Sequence, residues 1–178
     1  IIYNGRIITT KVDQAMLPNG GTASREVVMH PGGVCVVALT DKKEVLAVRQ
    51  FRYPINDYVY EFPAGLVEPG EDMLEAAIRE MQEETGLELL DCKYRGRVHF
   101  VSDIYEEEIM HIYTSDRFDG EIIECDEGEL SWIPKSEILS LNLWEGDRIF
   151  LKLLIADEGF FSMRLEYIGD RLVNMNME

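Results

Sequence analysis

Basic residues are scarce in this chain of 178 residues, which has 17 lysines and arginines against 34 aspartates and glutamates. The formal net charge of −17 argues against a nucleic-acid partner, because contacts with the phosphate backbone need clustered lysine and arginine. The same charge gives an anionic substrate no long-range attraction. We therefore expect divalent cations to supply the positive charge for any phosphate-containing substrate.

Cysteine, histidine and long apolar runs are also scarce. Cys35, Cys92 and Cys125 are scattered and form no C-x-x-C pair, which is typical of reduced thiols rather than disulfides. The three histidines are too widely spaced to predict a zinc site. No apolar run approaches the roughly 18 residues that a membrane-spanning helix needs. We expect a cytoplasmic protein without a membrane partner.

The most informative segment is residues 65–87, with the sequence GLVEPGEDMLEAAIREMQEETGL. Asp72 occupies the position of an N-cap residue, good helix formers follow, and Gly86 is a natural stop. The pattern predicts a helix over Met73–Glu84. One apolar stripe on this helix is expected to face the core, at the spacing of three and four residues typical of a buried face: Leu74, Ala77, Ile78 and Met81.

A cluster of acidic residues lies on a neighbouring face of the same predicted helix. Glu80, Glu83 and Glu84 are three and four residues apart, a spacing at which like charges repel each other. Carboxylate oxygens are, however, the ligands that Mg²⁺ prefers. Glu71 and Arg79 are predicted to form an internal pair that fixes the preceding loop to the helix. The segment therefore favours a magnesium site over a solvated acidic face.

The segment resembles the Nudix box, G-x5-E-x7-R-E-U-x-E-E-x-G-U with U aliphatic, and matches it at every defined position. The resemblance implies hydrolysis of a nucleoside diphosphate linked to another moiety, with Mg²⁺ or Mn²⁺ as cofactor. It also implies that Glu80 and Glu84 are the main metal ligands, that Glu83 assists, and that the backbone carbonyl of Ala64 is a further ligand. The remaining positions of the box are implied to be structural, namely Gly65, Glu71, Arg79 and Gly86.

Many short strands with two or three helices between them predict an α+β domain. Asn4-Gly5 predicts a two-residue hairpin turn near the start, and a late helix is expected over Arg148–Asp157. The Nudix resemblance implies an α/β/α sandwich with a mixed β-sheet. We divide the chain into an N-terminal antiparallel strand layer, residues 1–30, and a Nudix hydrolase domain, residues 31–178.

Three segments near the box are similar to the ADP-ribose pyrophosphatase branch of the family: residues 25–32, 49–54 and 61–65. In that branch the arginine at the position of Arg52 holds phosphate or ribose oxygens, and the residues at the positions of Arg25 and Glu61 help to seat the base and ribose. Members of the branch form dimers in which an N-terminal strand layer crosses to the partner. The resemblance therefore implies a homodimer that acts on a nucleotide sugar.

Two segments depart from that branch. Ser102 stands where many ADP-ribose hydrolases have proline. The C-terminal part, from Trp144-Glu145-Gly146-Asp147 to Glu166-Tyr167-Ile168-Gly169-Asp170, is more similar to MutT-type nucleoside triphosphate hydrolases. The alternatives to an ADP-ribose hydrolase are therefore a MutT-like hydrolase of triphosphates such as oxidised dGTP, and a non-catalytic domain that senses a nucleotide.

In the ADP-ribose branch the general base, which takes a proton from water, lies on a late loop outside the box, so the resemblance implies a base on such a loop here. The loop Asp126-Glu127-Gly128-Glu129 precedes a predicted strand, and we expect Glu127 to be the base, with Glu129 as second candidate. A rival cluster is Glu106-Glu107-Glu108, in which Glu108 resembles a substrate-site residue near the metals. Either run could also be a solvated acidic loop.

Overall fold

The computed structural model describes residues 2–4, 9–17, 20–29, 32–104 and 107–178. Backbone contacts divide the chain into two compact units, Ile1–Pro31 and Gly32–Glu178. No helix in the described part of the chain is both long and apolar enough to cross a membrane.

The first unit contains an antiparallel sheet of three strands in the order β1 (Tyr3–Asn4), β2 (Thr9–Met16) and β3 (Thr22–Met29). This sheet confirms the predicted N-terminal strand layer. The predicted two-residue turn at Asn4-Gly5 is wrong, because Asn4 itself pairs with Thr9 in the ladder. The connection, residues 5–8, lies outside the described residues.

The second unit contains two α-helices, α1 (Met73–Thr85) and α2 (Glu145–Ile155), and a short 3₁₀ turn over Ile138–Ser140. The late helix begins before the predicted Arg148, because the polar residues 145–147 form its first turn. The strands of this unit are β4 (Gly33–Ala38), β5 (Glu44–Arg52), β6 (Asp57–Glu61), β7 (Ala64–Leu66), β8 (Glu88–Leu89), β9 (Lys93–Ser102), β10 (Glu108–Ser115), β11 (Phe118–Asp119), β12 (Glu129–Pro134), β13 (Phe161–Ile168) and β14 (Arg171–Met177).

The largest sheet has six strands in the order β14-β13-β9-β10-β4-β7. Strand β10 runs parallel to β4 and β13 runs parallel to β9, whereas the other neighbours are antiparallel. A second sheet has the order β12-β5-β6, and β8 pairs with β11. The predicted α+β class with a mixed sheet is confirmed.

Strand β4 is buried along its whole length because both of its faces contact a core. Val34 and Val36 pack in the same cluster as Ala77 and Met81 of α1. Cys35, which points to the opposite face, packs in a second cluster with residues of α2. The uninterrupted apolar run of this strand is what a strand between two layers requires. Helices α1 and α2 therefore cover opposite faces of the sheet, as in an α/β/α sandwich.

Helix α1 has the predicted caps. The side chain of Asp72 accepts a hydrogen bond from the backbone N–H of Leu74 at 2.8 Å, and Gly86 ends the helix with a left-handed φ of 79°. The predicted apolar stripe is partly wrong, because Leu74 is exposed and Ala76 is fully buried. The helix is rotated about its axis relative to the prediction, so that half-buried Glu80 and Glu84 face inward beside the core residues.

Candidate active site

The loop before α1 is fixed to the helix by one guanidinium group. Arg79 donates from Nε to Oε1 of Glu71 at 2.8 Å and from Nη2 to Oε2 at 2.9 Å. Its Nη2 also donates to the backbone carbonyl of Leu66 at 2.9 Å. This bidentate Arg79–Glu71 ion pair is strong and geometrically specific. These contacts fix the position of the loop that begins at Gly65 relative to helix α1.

The carboxylate of Glu80 lies directly against the backbone of Gly65. A β-carbon placed on Gly65 would fall on the Glu80 carboxylate, so only glycine leaves room for this side chain. Arg79 Nη1 donates to Glu80 Oε1 at 2.8 Å and to Glu83 Oε2 at 3.3 Å. The side chain of Glu83 is 64% exposed, whereas that of Glu80 is 14% exposed. The side chain of Glu80 is therefore more firmly fixed in position than that of Glu83.

Glu84 lies between the helix and strand β7. Its Oε2 accepts a hydrogen bond from the backbone N–H of Ala64 at 3.3 Å. Burial, and then the neighbouring carboxylates of Glu127 and Glu80, raise the pKa of Glu84 to about 8. The Ala64 N–H acts in the opposite direction and lowers that pKa. A bound divalent cation would reduce the repulsion between these carboxylates.

Glu108 extends from the start of β10 over strand β4. A β-carbon on Gly33 would lie 2.8 Å from Oε1 of Glu108 and 3.5 Å from the carbonyl oxygen of Gly65. The two glycines thus leave space in which Glu108 approaches the loop before α1. Of the rival acidic run, Glu106 lies outside the described residues.

A cavity of about 530 Å³ lies next to this loop and is partly open to solvent. Ala64, Glu108 and Glu127 are on its wall. Because Glu127 lies near Glu84 and Glu80, the cavity adjoins these three carboxylates, which we call the carboxylate cluster. Strands β4, β9, β10 and β13 and helix α2 contribute apolar residues to the cavity, among them Cys35, Phe100, Met110, Phe150 and Tyr167. A volume of this size accommodates a nucleotide-sized ligand.

Two predicted substrate-binding residues, Arg52 and Glu61, lie side by side in the cavity wall. Arg52 donates from Nε and Nη2 to the Glu61 carboxylate, with a shortest distance of 2.8 Å. Trp144 Nε1 donates to Glu61 Oε1 at 2.6 Å. Among the described residues, Arg52 Nη1 has no hydrogen-bond acceptor. This nitrogen is free to bind an anionic group in the cavity.

Asp147, in the first turn of α2, also lines the cavity. Burial, and then the nearby Glu61 carboxylate, raise the pKa of Asp147 to about 7, although Arg52 acts to lower it. A carboxyl group with this pKa is partly protonated at neutral pH, so it can donate as well as accept a hydrogen bond.

The two candidate bases differ in position. Glu127 lines the cavity and raises the pKa of Glu84, so it lies on the carboxylate cluster. Both residues are exposed, but Glu129 starts β12 and is not part of the cavity wall. The structure therefore brings together Glu127 and the box glutamates, but leaves Glu129 outside.

Arg25 and Gly86 are the two remaining predicted site residues. Arg25 belongs to β3 in the first unit, is exposed, and donates from Nη1 to the backbone carbonyl of Ser24 at 3.0 Å. Its contribution to substrate binding stays a prediction. Gly86 is the C-cap of α1, and a β-carbon there would lie 2.7 Å from the Glu121 carbonyl oxygen. This glycine holds the end of the helix and does not line the cavity.

The described histidines are also outside the cavity wall. His99 Nε2 lies 3.1 Å from Oε2 of Glu107, and His111 Nδ1 lies 2.9 Å from the hydroxyl of Tyr94. His30 falls outside the described residues. Burial raises the pKa of the Cys35 thiol well above its usual value, so this cavity residue is a poor nucleophile.

Sequence reasoning missed Trp144 and Asp147 as cavity residues. An acidic residue in the first turn of a helix is ordinarily explained by the helix dipole, which hides any other role. The apolar cavity residues come from strands distant in sequence, and each of them has the residue type of an ordinary core position. The one available signal was the similarity of the segment 144–170 to MutT-type hydrolases.

No three His, Cys, Asp or Glu side chains of the described ranges already converge on one point as a ready-made ion site. Mg²⁺ usually takes one or two carboxylates together with phosphate oxygens and water. The oxygen-rich donors, and the glycine space that holds Glu80 beside the loop, fit such an ion.

Comparison with known proteins decides the family. Residues 29–154 match the family profile described as the NUDIX domain. The chain belongs to the Nudix family. The box glutamates, the glycine loop and the adjoining cavity are thus the candidate active site of a Nudix hydrolase.

Two curated relatives have different names. The chain is 40% identical over 115 residues to the methanol dehydrogenase activator of Bacillus methanolicus, covering 64% of this chain and 61% of that protein. It is 36% identical over 130 residues to the ADP-ribose pyrophosphatase of Bacillus subtilis (strain 168), covering 72% of this chain and 70% of that one. The chain thus spans less than two thirds of the activator's length.

Solved structures agree with the family. The MutT protein from Bacillus halodurans superposes with a TM-score of 0.75 at 24% sequence identity, covering 82% of this chain and 96% of that one. At this level of identity the likeness shows the fold, which is the Nudix fold.

Proposed function

We propose that this Nudix hydrolase cleaves a nucleoside diphosphate linked to another moiety, with ADP-ribose or a related nucleotide sugar as substrate. The products are a nucleoside monophosphate and a sugar phosphate. The observation that carries the proposal is the position of Arg52 and Glu61 in the same cavity wall as Ala64 and Glu127. A diphosphate placed between them would direct its anionic oxygens toward the guanidinium of Arg52 on one side and toward the site of the proposed cation on the other.

The proposed cofactor is Mg²⁺, held by Glu80 and Glu84, with Glu83 and the carbonyl of Ala64 assisting. When bound, the ion neutralises phosphate oxygens and makes the attacking water more acidic. The chain itself orients the carboxylate oxygens that would bind the ion. Arg79 holds Glu80 and Glu71 at 2.8 Å each, and Gly65 leaves the space that Glu80 occupies.

Glu127 is the proposed general base, with Glu129 as second choice. Water attacks a phosphorus of the diphosphate, its proton passes to the carboxylate, and the phosphoanhydride bond breaks toward the leaving phosphate. Support for Glu127 comes from its place on the cavity wall and its electrostatic effect on Glu84. A base must lie within hydrogen-bond reach of the proton it removes, and Glu129, which is not part of the cavity wall, is less suited.

Arg52 is the proposed phosphate- or ribose-binding residue. Its planar guanidinium is already oriented by Glu61, which Trp144 holds from the other side. Orientation before binding reduces the entropy lost when the substrate binds. The apolar wall with Phe100, Phe150 and Tyr167 is suited to the base and ribose, and Glu108 is proposed to contact the substrate near the ion.

A second candidate is a MutT-like hydrolase of nucleoside triphosphates such as oxidised dGTP. The observation that favours it is the presence of both Trp144 and Asp147 in the cavity wall, within the segment similar to MutT-type enzymes. A partly protonated Asp147 can donate to a ring nitrogen or carbonyl oxygen of a purine and accept from its N–H groups.

We also propose that the N-terminal layer takes part in a homodimer. The three-stranded sheet leaves apolar side chains exposed, including Val12 at 44% and Met16 at 82%. A second copy would cover these residues. In this arrangement Arg25 reaches the partner's substrate, as the ADP-ribose branch implies.

The deciding experiment is a product analysis with purified protein and Mg²⁺. ADP-ribose, other nucleotide sugars and nucleoside triphosphates are incubated separately and the products are separated by chromatography. Release of AMP and ribose 5-phosphate supports the lead proposal. Release of pyrophosphate from a triphosphate assigns the chain to the MutT-like class, and no turnover of any substrate favours a nucleotide sensor.

A further inference from the structure

Gln50 lies on β5 between two residues of the cavity wall. Side chains alternate along a strand, so Gln50 shares its face with Val48 and Arg52, both of which line the cavity. Its Nε2 donates to Oε2 of Glu127 at 3.4 Å. This bond joins strand β5 to the loop that carries the proposed base.

The other end of the same amide is buried without a partner. Oε1 of Gln50 is inaccessible to solvent and accepts no hydrogen bond from the described residues. Exchanging the amide oxygen and nitrogen would turn Oε1 toward a carboxylate oxygen and bury two unpaired N–H donors, so the orientation is fixed by Glu127. A buried acceptor without a donor destabilises the folded state. A methionine of similar length would carry no such penalty.

The loop of Glu127 is anchored to β5 at a second point, beside Gln50. Cys125 and Gly128 close the loop through a backbone bridge. A β-carbon on Gly128 would collide with the carbonyl oxygen of Arg49, so the loop backbone packs directly on the strand. The backbone contact fixes the position of the loop but does not orient the Glu127 side chain. The hydrogen bond from the Gln50 amide limits the rotation of that side chain.

We propose that Gln50 is a positioning residue that holds the carboxylate of Glu127 toward the cavity at the expense of folding stability. The inference rests on the proposed function, in which Glu127 is the general base. A polar side chain that destabilises the fold yet aims at a functional carboxylate is expected where activity and stability conflict.

The test is a double-mutant cycle of Gln50→Met and Glu127→Gln, measured with the nucleotide that the wild type turns over fastest. Glu127→Gln should lower kcat by about 100-fold to 10,000-fold, the usual contribution of a general base. Gln50→Met should lower kcat by about 10-fold to 100-fold, less than loss of the base itself. KM should stay nearly unchanged and Tm should be equal to or higher than that of the wild type. The double variant should be no slower than Glu127→Gln alone.

Two further variants complete the cycle. Gln50→Glu keeps the shape but opposes Glu127 with a like charge, so kcat should fall in the wild-type background and not in the Glu127→Gln background. Gln82→Met is the matched control, because Gln82 is exposed on α1 and its side chain has no hydrogen bond within the described ranges. This control should keep the wild-type kcat.

The outcomes separate the two hypotheses. Wild-type kcat in Glu127→Gln would reject the proposed base, and the positioning role with it. A slow Glu127→Gln together with a Gln50→Met variant that keeps kcat, or whose loss multiplies with that of Glu127→Gln, would reject the role of Gln50 alone. A lower Tm with unchanged kcat in Gln50→Met would show that Gln50 is a structural residue.

Discussion

The backbone of Gly65 lies so close to the Glu80 carboxylate that any β-carbon at position 65 would occupy the same space. Gly65→Ala should therefore displace Glu80 and lower kcat by about 100-fold, as expected for a shift of about 1 Å in a reacting group. Turnover at increasing Mg²⁺ concentration measures the effect. Gly159→Ala is the matched control, since a β-carbon there meets no atom within 4 Å. Equal activity in the two variants would contradict the tight packing.

Glu84→Gln should reduce turnover by about 100-fold or more, because loss of a metal ligand exceeds the effect of losing one of its supporting partners. Glu83→Gln should also lose most turnover if this residue assists in binding the ion. Neither variant should lose its fold. Circular dichroism and Mg²⁺ titration of activity provide the measurement, with Glu75→Gln on the exposed face of α1 as control. Rates near those of the wild type would reject the metal assignment.

The ion pair between Glu71 and Arg79 should stabilise the fold at neutral pH but not at strongly acidic pH. Hydrogen bonds with Arg79 lower the pKa of Glu71 from 4.5 to about 2. Because the folded-state pKa is the lower one, the contribution is complete above about pH 4.5 and is lost as pH falls toward 2. Thermal unfolding of the wild type and Glu71→Gln should differ most at neutral pH and converge near pH 2. A constant difference across this range would show that the ion pair is not the cause.

Asp72→Ala should lower the free energy of unfolding by about 1 kcal/mol, the usual effect of losing an N-cap side chain. The Asp72 carboxylate accepts from the backbone N–H of Leu74 at 2.8 Å, and alanine cannot replace that acceptor. Urea unfolding gives the value. Asp72→Ser restores an oxygen at the same position and should recover most of the loss. Equal stability of the alanine and serine variants would argue against a capping role.

Removal of residues 1–30 should produce a monomer with a raised KM, if the N-terminal layer forms the dimer and completes the substrate site. Sedimentation velocity and steady-state kinetics on the truncated protein measure both quantities. Arg25→Ala in the full-length chain tests the site alone, and should raise KM while leaving the dimer intact. A truncated protein that remains an active dimer would overturn the proposed exchange of layers.

Local patterns predicted the box helix well because its signals are local. Asp72, Gly86 and the run of helix formers act within a few residues of each other, and the caps agree with the structure. The side of the helix that faces the core could not be predicted with the same success. Leu74 is exposed and Ala76 is buried, because the rotation of α1 depends on its packing against β4 and on the inward position of Glu80 and Glu84.

By itself, the sequence determined the family and the box helix. It also predicted a set of oxygen ligands in that helix, since spacing along one helix fixes which side chains share a face. Only the tertiary structure decided which residues form the cavity. Strands β4, β5 and β9 and helix α2 meet there, and they contribute side chains, such as Cys35, Arg52 and Asp147, that are distant in sequence. Their proximity depends on sheet order and layer packing, which no short segment of the chain encodes.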